Sequence, residues 1–376
     1  MRLLIAGGIA KSLVRFRGPL LRTLVAAGHD VHTCAGEPEE GVSRELVGLG
    51  VRFHAVPLAR SGANPASDLR YSAAVAGVIR RVRPDLVLSY TLKPSIFASL
   101  ASRAAGIRSA SMITGAGRAL APSHGSKEVV ISAVTRALLR LSLSTNEVVF
   151  FQNPDDIDEF VGRKLVSRTQ CVLLEGSGVD LDHFTESSPP TDAPQFLLLS
   201  RLLREKGILD FARAARMLRA RSGARFQLLG PREPGPRGLT SQDLDYCREC
   251  GVDYHGEVED VRPYLNACSV YVLPSYYREG QPRSILEALA TGRAVVTCDL
   301  PGCRETVIDG VNGFLVPPQQ PAALAGALTR FVEQPSLIAA MGAESRRLAE
   351  RRYDVHRVNA TILKALQLVP PSGFLS

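Results

Sequence analysis

The chain is 376 residues long, 45% hydrophobic and 22% charged, with a mean hydropathy of +0.04; at roughly 150 residues per domain this makes two or three packed domains and excludes a disordered or collagen-like chain. Tryptophan is absent and aromatic residues make up 6%, which argues against aromatic cages and base-stacking platforms. The net charge of +8 is uneven: residues 1–147 hold 19 Lys and Arg against 9 Asp and Glu, a net +10, while the remainder, with 26 against 28, carries −2, so the first half attracts nucleic acid, anionic lipid headgroups or a phosphorylated substrate.

Leu3–Gly8 reads as a short apolar strand ending in Gly7-Gly8. A basic amphipathic stretch, Arg15–Ala27, closes at Gly28 and leads to a second strand near Asp30–Cys34. Strands at Val51–Val56, Pro84–Ser89 and Ser109–Ile113 alternate with helices at Asp68–Val82 and Pro94–Ala105. A Pro-rich break, Ser187–Pro194, opens a second series: strand Gln195–Ser200, helix Gly207–Arg221, strand Arg225–Leu229 and a Gly/Pro loop, Gly230–Gly238. Helix Val261–Ala267, strand Val270–Pro274, helix Pro282–Thr291, strands Ala294–Cys298 and Gly313–Val316 and a helical tail, Pro321–Leu368, continue it. This alternation predicts an α/β chain with two Rossmann-like, doubly wound parallel sheets facing a ligand cleft at the carboxyl ends of their strands. The expected divisions are 1–186, 187–355, and a C-terminal helix and tail, 356–376, packing back on the first domain.

Seven scattered cysteines suit a reducing compartment, and Met1-Arg2 runs straight into a strand with no long apolar leader. No 18 consecutive residues are apolar. The expectation is a cytoplasmic protein that does not span a membrane. Cys247-Arg248-Glu249-Cys250 has the spacing of a metal half-site without a second pair, and the Asp-x-Asp triplets at 156, 180 and 243 are short enough to arise by chance, so no metal is expected.

The densest chemical signal is Glu279-Gly280-Gln281-Pro282-Arg283-Ser284-Ile285-Leu286-Glu287, which follows a strand and opens a helix. Gly280 permits a tight turn, Pro282 suits the first helical turn, and the free N–H groups there form an anion site. Glu279 lies in the loop facing a ligand. Glu287 lies about one turn inside the helix, where a carboxylate accepts two ribose hydroxyls.

This segment resembles the E-x7-E signature of retaining glycosyltransferases of family 4, which have the two-domain GT-B fold. Ser200-Arg201-Leu202-Leu203-Arg204-Glu205-Lys206-Gly207 resembles the family's strand-end Arg…Lys-Gly motif, and Tyr254–Val261, with Glu257 and Val258, resembles its nucleotide-base loop. Further matches are Glu175–Asp180, Pro301–Glu305 and Asn312–Val316, so the likeness spans about residues 1–355. The wording at Tyr276–Gly280 and Gly302–Glu305 is closest to bacterial enzymes that extend polyprenyl-diphosphate-linked sugars for surface polysaccharide or glycan assembly.

The resemblance implies that Arg201 and Lys206 hold the diphosphate of a nucleotide-sugar donor, expected to be UDP-linked, that Glu287 binds the ribose and that Glu279 faces the donor sugar. The nucleotide-sugar site then comprises Gly7, Gly8, Glu257, Val258, Gly280, Gln281, Pro282, Arg283, Ser284, Ile285 and Glu287, with Glu279, Arg201 and Lys206 as the catalytic set. Fixed cations and helix N–H groups meet the charge of the leaving nucleoside diphosphate, so no cofactor and no metal is required. The acceptor is expected to be a polyprenyl-diphosphate-linked saccharide, met peripherally at an anionic membrane surface on the cytoplasmic face. Lys11–Arg22, with Arg15, Phe16 and Arg17 expected in a loop, and Thr135–Leu143 are the candidate membrane contacts. Thr91–Pro94 is expected at the cleft, and His124 is a candidate imidazole in the first domain. Nucleic acid is not an expected partner, since no helix-turn-helix, zinc or RNA-binding signature is present. Two alternatives stay open: a GT-B sugar-nucleotide epimerase, and a nucleotide-sugar-binding protein without chemistry.

Overall fold

The computed structural model describes residues 1–38, 40–58, 65–115, 126–219 and 223–368. The chain divides into two compact units, Met1–Ser177 with Val355–Ser376, and Gly178–Asp354. His124 and Arg221 lie outside the described residues.

In the first unit β1 (Arg2–Ala6), α1 (Ala10–Ala26), β2 (Asp30–Ala35), α2 (Glu40–Gly48), β3 (Arg52–Ala55), α3 (Pro65–Val82), β4 (Leu86–Tyr90), α4 (Leu92–Ala104), β5 (Arg108–Ile113), α5 (Ser126–Leu143), β6 (Val148–Phe151), α6 (Pro154–Gly162) and β7 (Cys171–Leu173) alternate. Their sheet is parallel in the order β3-β2-β1-β4-β5-β6-β7. Strands buried on both faces need continuous apolar runs, and Leu3, Leu4, Ile5 and Ala6 supply one: Leu3 and Ile5 pack with α1, Leu4 and Ala6 with α3.

The second unit carries β8 (Gln195–Leu199), α7 (Ile208–Arg219), β9 (Arg225–Leu229), α8 (Ser241–Glu249), β10 (Val252–Tyr254), α9 (Arg262–Ala267), β11 (Val270–Leu273), α10 (Arg283–Ala290), β12 (Ala294–Cys298), β13 (Gly313–Val316), α11 (Pro321–Glu333) and α12 (Ser336–Leu348). Its sheet is parallel in the order β10-β9-β8-β11-β12-β13. Strand order reverses between β8 and β11, and the crevice outside their carboxyl ends is where such sheets bind ligands. The last helix, α13 (Val355–Ala365), returns to the first unit. Val358, Ile362 and Leu363 join Leu13, Leu20 and Leu24 in one core, and Asn359 donates to the Thr23 hydroxyl at 3.2 Å.

One expectation changes. The first helix begins at Ala10, so Arg15, Phe16 and Arg17 are helical and not a loop; Arg17 is buried, its guanidinium 5.1 Å from the Tyr90 ring centre. The helical tail consists of α11 and α12 in the second unit and α13 in the first. Helices α2, α6 and α8 and strands β6, β7 and β10 were not foreseen, since each carries too few residues to show a period in the sequence.

Candidate active site

The second unit's site is built where three loops leave the sheet edge. After β8 the chain passes Arg201 and makes a single helical turn, Arg204–Lys206, ending at Gly207 with φ +73°. A side chain there would overlap the Pro274 carbonyl as well as strain the backbone, so glycine lets this turn lie against the segment after β11. That segment is fastened to it through one acceptor: the Glu205 carbonyl takes hydrogen bonds from Tyr276 N at 2.8 Å, Tyr277 N at 3.1 Å and the Ser275 hydroxyl at 3.3 Å. The third loop, after β12, closes on the signature at Gly302, φ +86°, where a Cβ would overlap the Gly280 carbonyl.

These contacts bring Lys206 and Glu279 together. The Lys206 ammonium donates to the Glu279 carboxylate, which also accepts from the Ser275 hydroxyl at 2.9 Å. The two side chains are 11% and 12% exposed, shielded enough for their attraction to exceed that of a surface pair. Lys206 also lies 5.7 Å from the Tyr277 ring centre.

One turn along, Pro282 caps α10 without a side-chain bond, and the backbone closes on it through Ile285 N at 3.0 Å. The first turn carries no acidic residue, leaving an electropositive helix end. Arg283 Nε donates to the Glu287 carboxylate at 2.8 Å, four residues on. The Ser284 hydroxyl lies 2.6 Å from the Tyr271 hydroxyl, whose one proton is donated to the Leu199 carbonyl at 2.9 Å; burial raises the Tyr271 pKa well above its ordinary value, so it stays a neutral donor. Ile285 is buried in the core, Gln281 is 7% exposed, and Gly280 and Pro282 are buried.

Arg201 pairs with Glu233 at 3.1 Å and is half-exposed; it has its own carboxylate and does not share that of Lys206. Glu257 is exposed on the loop after β10, and Val258 packs partly against the core. That loop is tied back by Gly230 N to the Gly256 carbonyl at 2.8 Å and the Tyr254 hydroxyl to the Gly230 carbonyl at 2.9 Å. Arg237 was not foreseen as part of the site: its Nε meets the Glu205 carboxylate at 2.7 Å and its guanidinium lies 5.4 Å from the Tyr277 ring centre.

In the first unit, Gly7 ends β1 beside Tyr90, and a Cβ there would overlap the Tyr90 hydroxyl. That hydroxyl is 2.8 Å from the Ser12 hydroxyl, and burial pushes the Tyr90 pKa up to about 12. Gly8 is half-buried beside Thr91, whose backbone has φ +66° and ψ 159°. Lys93 pairs with Asp68 at 2.8 Å.

The Asp-x-Asp triplets and the Cys247/Cys250 pair have partners within the fold. Asp156 sits in the first turn of α6, capped by Asn153, and the Asp180 carboxylate accepts from Asp182 N and His183 N. Asp243 completes a capping box with Thr240 and pairs with Arg204. Cys247 and Cys250 are buried in the core, and burial lifts the Cys247 pKa to about 12. Among the described residues no group of three or more His, Cys, Asp or Glu is placed to hold a metal ion.

Two family profiles match the chain: "Glycosyl transferase 4-like domain" over residues 13–175 and "Glycosyl transferases group 1" over 193–334. The chain belongs to this glycosyltransferase family. This hexosyltransferase family member is 26% identical over 340 residues, 87% of this chain and 88% of the relative, to N,N'-diacetylbacillosaminyl-diphospho-undecaprenol alpha-1,3-N-acetylgalactosaminyltransferase of Campylobacter jejuni. Among solved structures, sucrose-phosphate synthase of Thermosynechococcus elongatus superposes with TM-score 0.78 at 18% identity, covering 98% of this chain and 99% of that one. Anabaena HepE in complex with UDP and glucose superposes with TM-score 0.76 at 19% identity, covering 98% and 100%. The fold of this glycosyltransferase is GT-B.

Proposed function

We propose that this glycosyltransferase moves a hexose or N-acetylhexosamine, with retention of configuration, from a UDP-sugar to a polyprenyl-diphosphate-linked saccharide in bacterial polysaccharide or glycan assembly. The observation that carries the reading is the shielded Lys206–Glu279 pair, which joins the turn after β8 to the signature loop after β11, at the strand-order reversal of the second unit. As the glycosidic bond breaks, charge grows on the departing phosphate oxygen. Lys206 and the N–H groups opening α10 are fixed before that charge appears, which is how a site lowers a barrier without reorganising. The leaving oxygen takes the acceptor's hydroxyl proton on the same face, so no protein nucleophile is needed. Glu287, held by Arg283 at 2.8 Å, is the carboxylate placed for the ribose hydroxyls.

The acceptor class is supported by the named activity of the Campylobacter jejuni relative, and the UDP base by the UDP bound in HepE. We place the acceptor's membrane beside the first unit. There α5 exposes Val129, Val130, Ile131 and Val134 next to its basic residues Arg136 and Arg140, in the more basic half of the chain. The proposed contact is peripheral, at the cytoplasmic face; no described helix is long and apolar enough to cross a membrane. Metal-free turnover is part of the proposal.

The test is transfer from radiolabelled UDP-, GDP- and ADP-sugars into organic-extractable lipid of bacterial membranes, with and without EDTA, and with Glu287→Ala as control. Label from a UDP-sugar, unchanged by EDTA and lost in the variant, is the expected result. A donor consumed without acceptor points to the epimerase instead, and binding without turnover to the non-catalytic alternative. Loss of label with EDTA removes the metal-free part alone.

A further inference from the structure

The strand-end turn of the second unit holds more positive charge than the signature motifs account for, and one cation stands out by its surroundings. Arg237 comes from the Gly/Pro loop between β9 and α8, far in sequence from both motifs. That loop folds onto the turn: Arg204 N donates to the Arg237 carbonyl at 3.0 Å, Gly238 forms a bridge with Leu203, and Leu239 N reaches the Leu202 carbonyl at 3.0 Å. With its backbone so fixed, the Arg237 guanidinium lies 5.4 Å from the Tyr277 ring centre, and the Lys206 ammonium lies 5.7 Å from the same centre. One aromatic ring thus holds two cations at set positions.

Each cation has a single carboxylate opposite it, Glu279 for Lys206 and Glu205 for Arg237. The Arg237 pair is the looser. It closes through Nε and Oε1 alone at 2.7 Å, while Nη2 and the second Glu205 oxygen are buried without hydrogen-bond partners. An Arg–carboxylate pair normally closes both bonds of the fork; one left half-made gives up less when the guanidinium turns to another anion. The side chain is one-third exposed, within reach of a ligand. Two fixed cations on one ring repel each other, and a group bearing two negative charges relieves that repulsion.

We infer that Arg237 contacts the sugar-side phosphate of the donor's diphosphate, acting with Lys206 across the Tyr277 ring. The inference rests on the nucleotide-sugar reading above. It is the sugar-side phosphate because Lys206 shares its carboxylate with the loop that faces the donor sugar, so its ring-mate meets that end of the diphosphate. Glu205 is the internal anion that Arg237 leaves on binding.

Two substitutions then act in opposite directions on a nucleoside diphosphate and leave the monophosphate alone. Calorimetric titration of the full chain with UDP and with UMP reads this. Arg237→Gln is expected to weaken UDP binding tenfold or more and to change UMP binding less than twofold. Glu205→Gln, which keeps the backbone carbonyl that ties the loops, is expected to tighten UDP binding severalfold with UMP unchanged. Equal losses for UDP and UMP in Arg237→Gln, or a UDP-to-UMP ratio left at the wild-type value in Glu205→Gln, overturn the inference while the donor reading stands. If Arg237→Gln does not fold, the Glu205→Gln ratio decides alone. Failure of the wild type to bind any of UDP, GDP and ADP overturns both.

Discussion

At the scale of single residues, shielded charges set the sharpest expectations. Lys206→Ala leaves the Glu279 carboxylate in a site only 12% exposed, so it should cost about 3–5 kcal/mol of stability as well as about 100-fold or more in kcat. Pairing it with Glu279→Gln should restore much of the stability and none of the activity; chemical unfolding and initial rates separate the two. Arg293 is the largest fully buried side chain among the described residues and holds the Leu265, Asn266 and Ser187 carbonyls and the Ser187 hydroxyl. Arg293→Met strands these acceptors and should destabilise the second unit by about 3 kcal/mol or more, read as a lower unfolding midpoint with the UDP affinity of the folded fraction unchanged. A third expectation concerns pH. His32 Nδ1 and His54 Nε2 are 2.9 Å apart, with Asp30 3.4 Å from His32; burial lowers both imidazoles from 6.5, with Asp30 partly opposing it at His32 and the His32 charge adding to it at His54. The unfolded chain therefore takes up these protons first, so stability is whole above about pH 6.5 and falls as pH drops through the lower folded values. Thermal unfolding between pH 8 and 5 should show this loss in the wild type and a shallower one in His54→Gln; parallel curves would rule the pair out as its source.

At the scale of elements, the signature helix was legible because each step is local. A strand, a glycine, a proline and a helix follow one another, and Arg283 meets Glu287 at the four-residue spacing that puts both on one face. Lys206 and Glu279 lie 73 positions apart, and their meeting depends on the packing of two loops that no local pattern encodes; Arg237 and Tyr277 escaped for the same reason. Gly7 was legible as a special position, but for a different partner: the paired glycine read as room for phosphates also makes room for the Tyr90 ring. The start of α1 was misplaced because Ile9 enters the helix without a side-chain cap and no acidic residue marks its first turn. Gly302→Ala should be the most damaging single methyl in the second unit, since it strains a positive φ and drives into the Gly280 carbonyl. Overpacking of this kind typically costs about 1–3 kcal/mol, and the displaced signature loop should raise the KM for donor more than a surface Gly310→Ala does.

At the scale of the whole molecule, the alternation of strands and helices was enough to give the central strands of both sheets, because parallel strands buried on two faces leave unbroken apolar runs in the sequence, while β6, β7 and β10 escaped it. The crossing of α13 back to the first unit was carried by Val358, Ile362 and Leu363, whose helical spacing presents one apolar face to α1. The charge asymmetry, +10 in residues 1–147, has a consequence that belongs to the chain and not to any site. Binding to vesicles containing anionic lipid should weaken steeply between 50 and 300 mM salt as screening shortens to roughly 6 Å. Replacing Val130 and Val134 on α5 with Asp should reduce what remains at high salt.

The central claim is a glycosyl transfer with retention at the Lys206–Glu279 site. Its most direct test is proton NMR of the glycoside isolated after incubation of the full chain with an α-linked UDP-sugar and lipid-linked acceptor. A new α-glycosidic linkage, formed by the wild type and absent with Lys206→Ala, is the expected product. A β-linked product, or the same α-linked product at an undiminished rate from the variant, would contradict it.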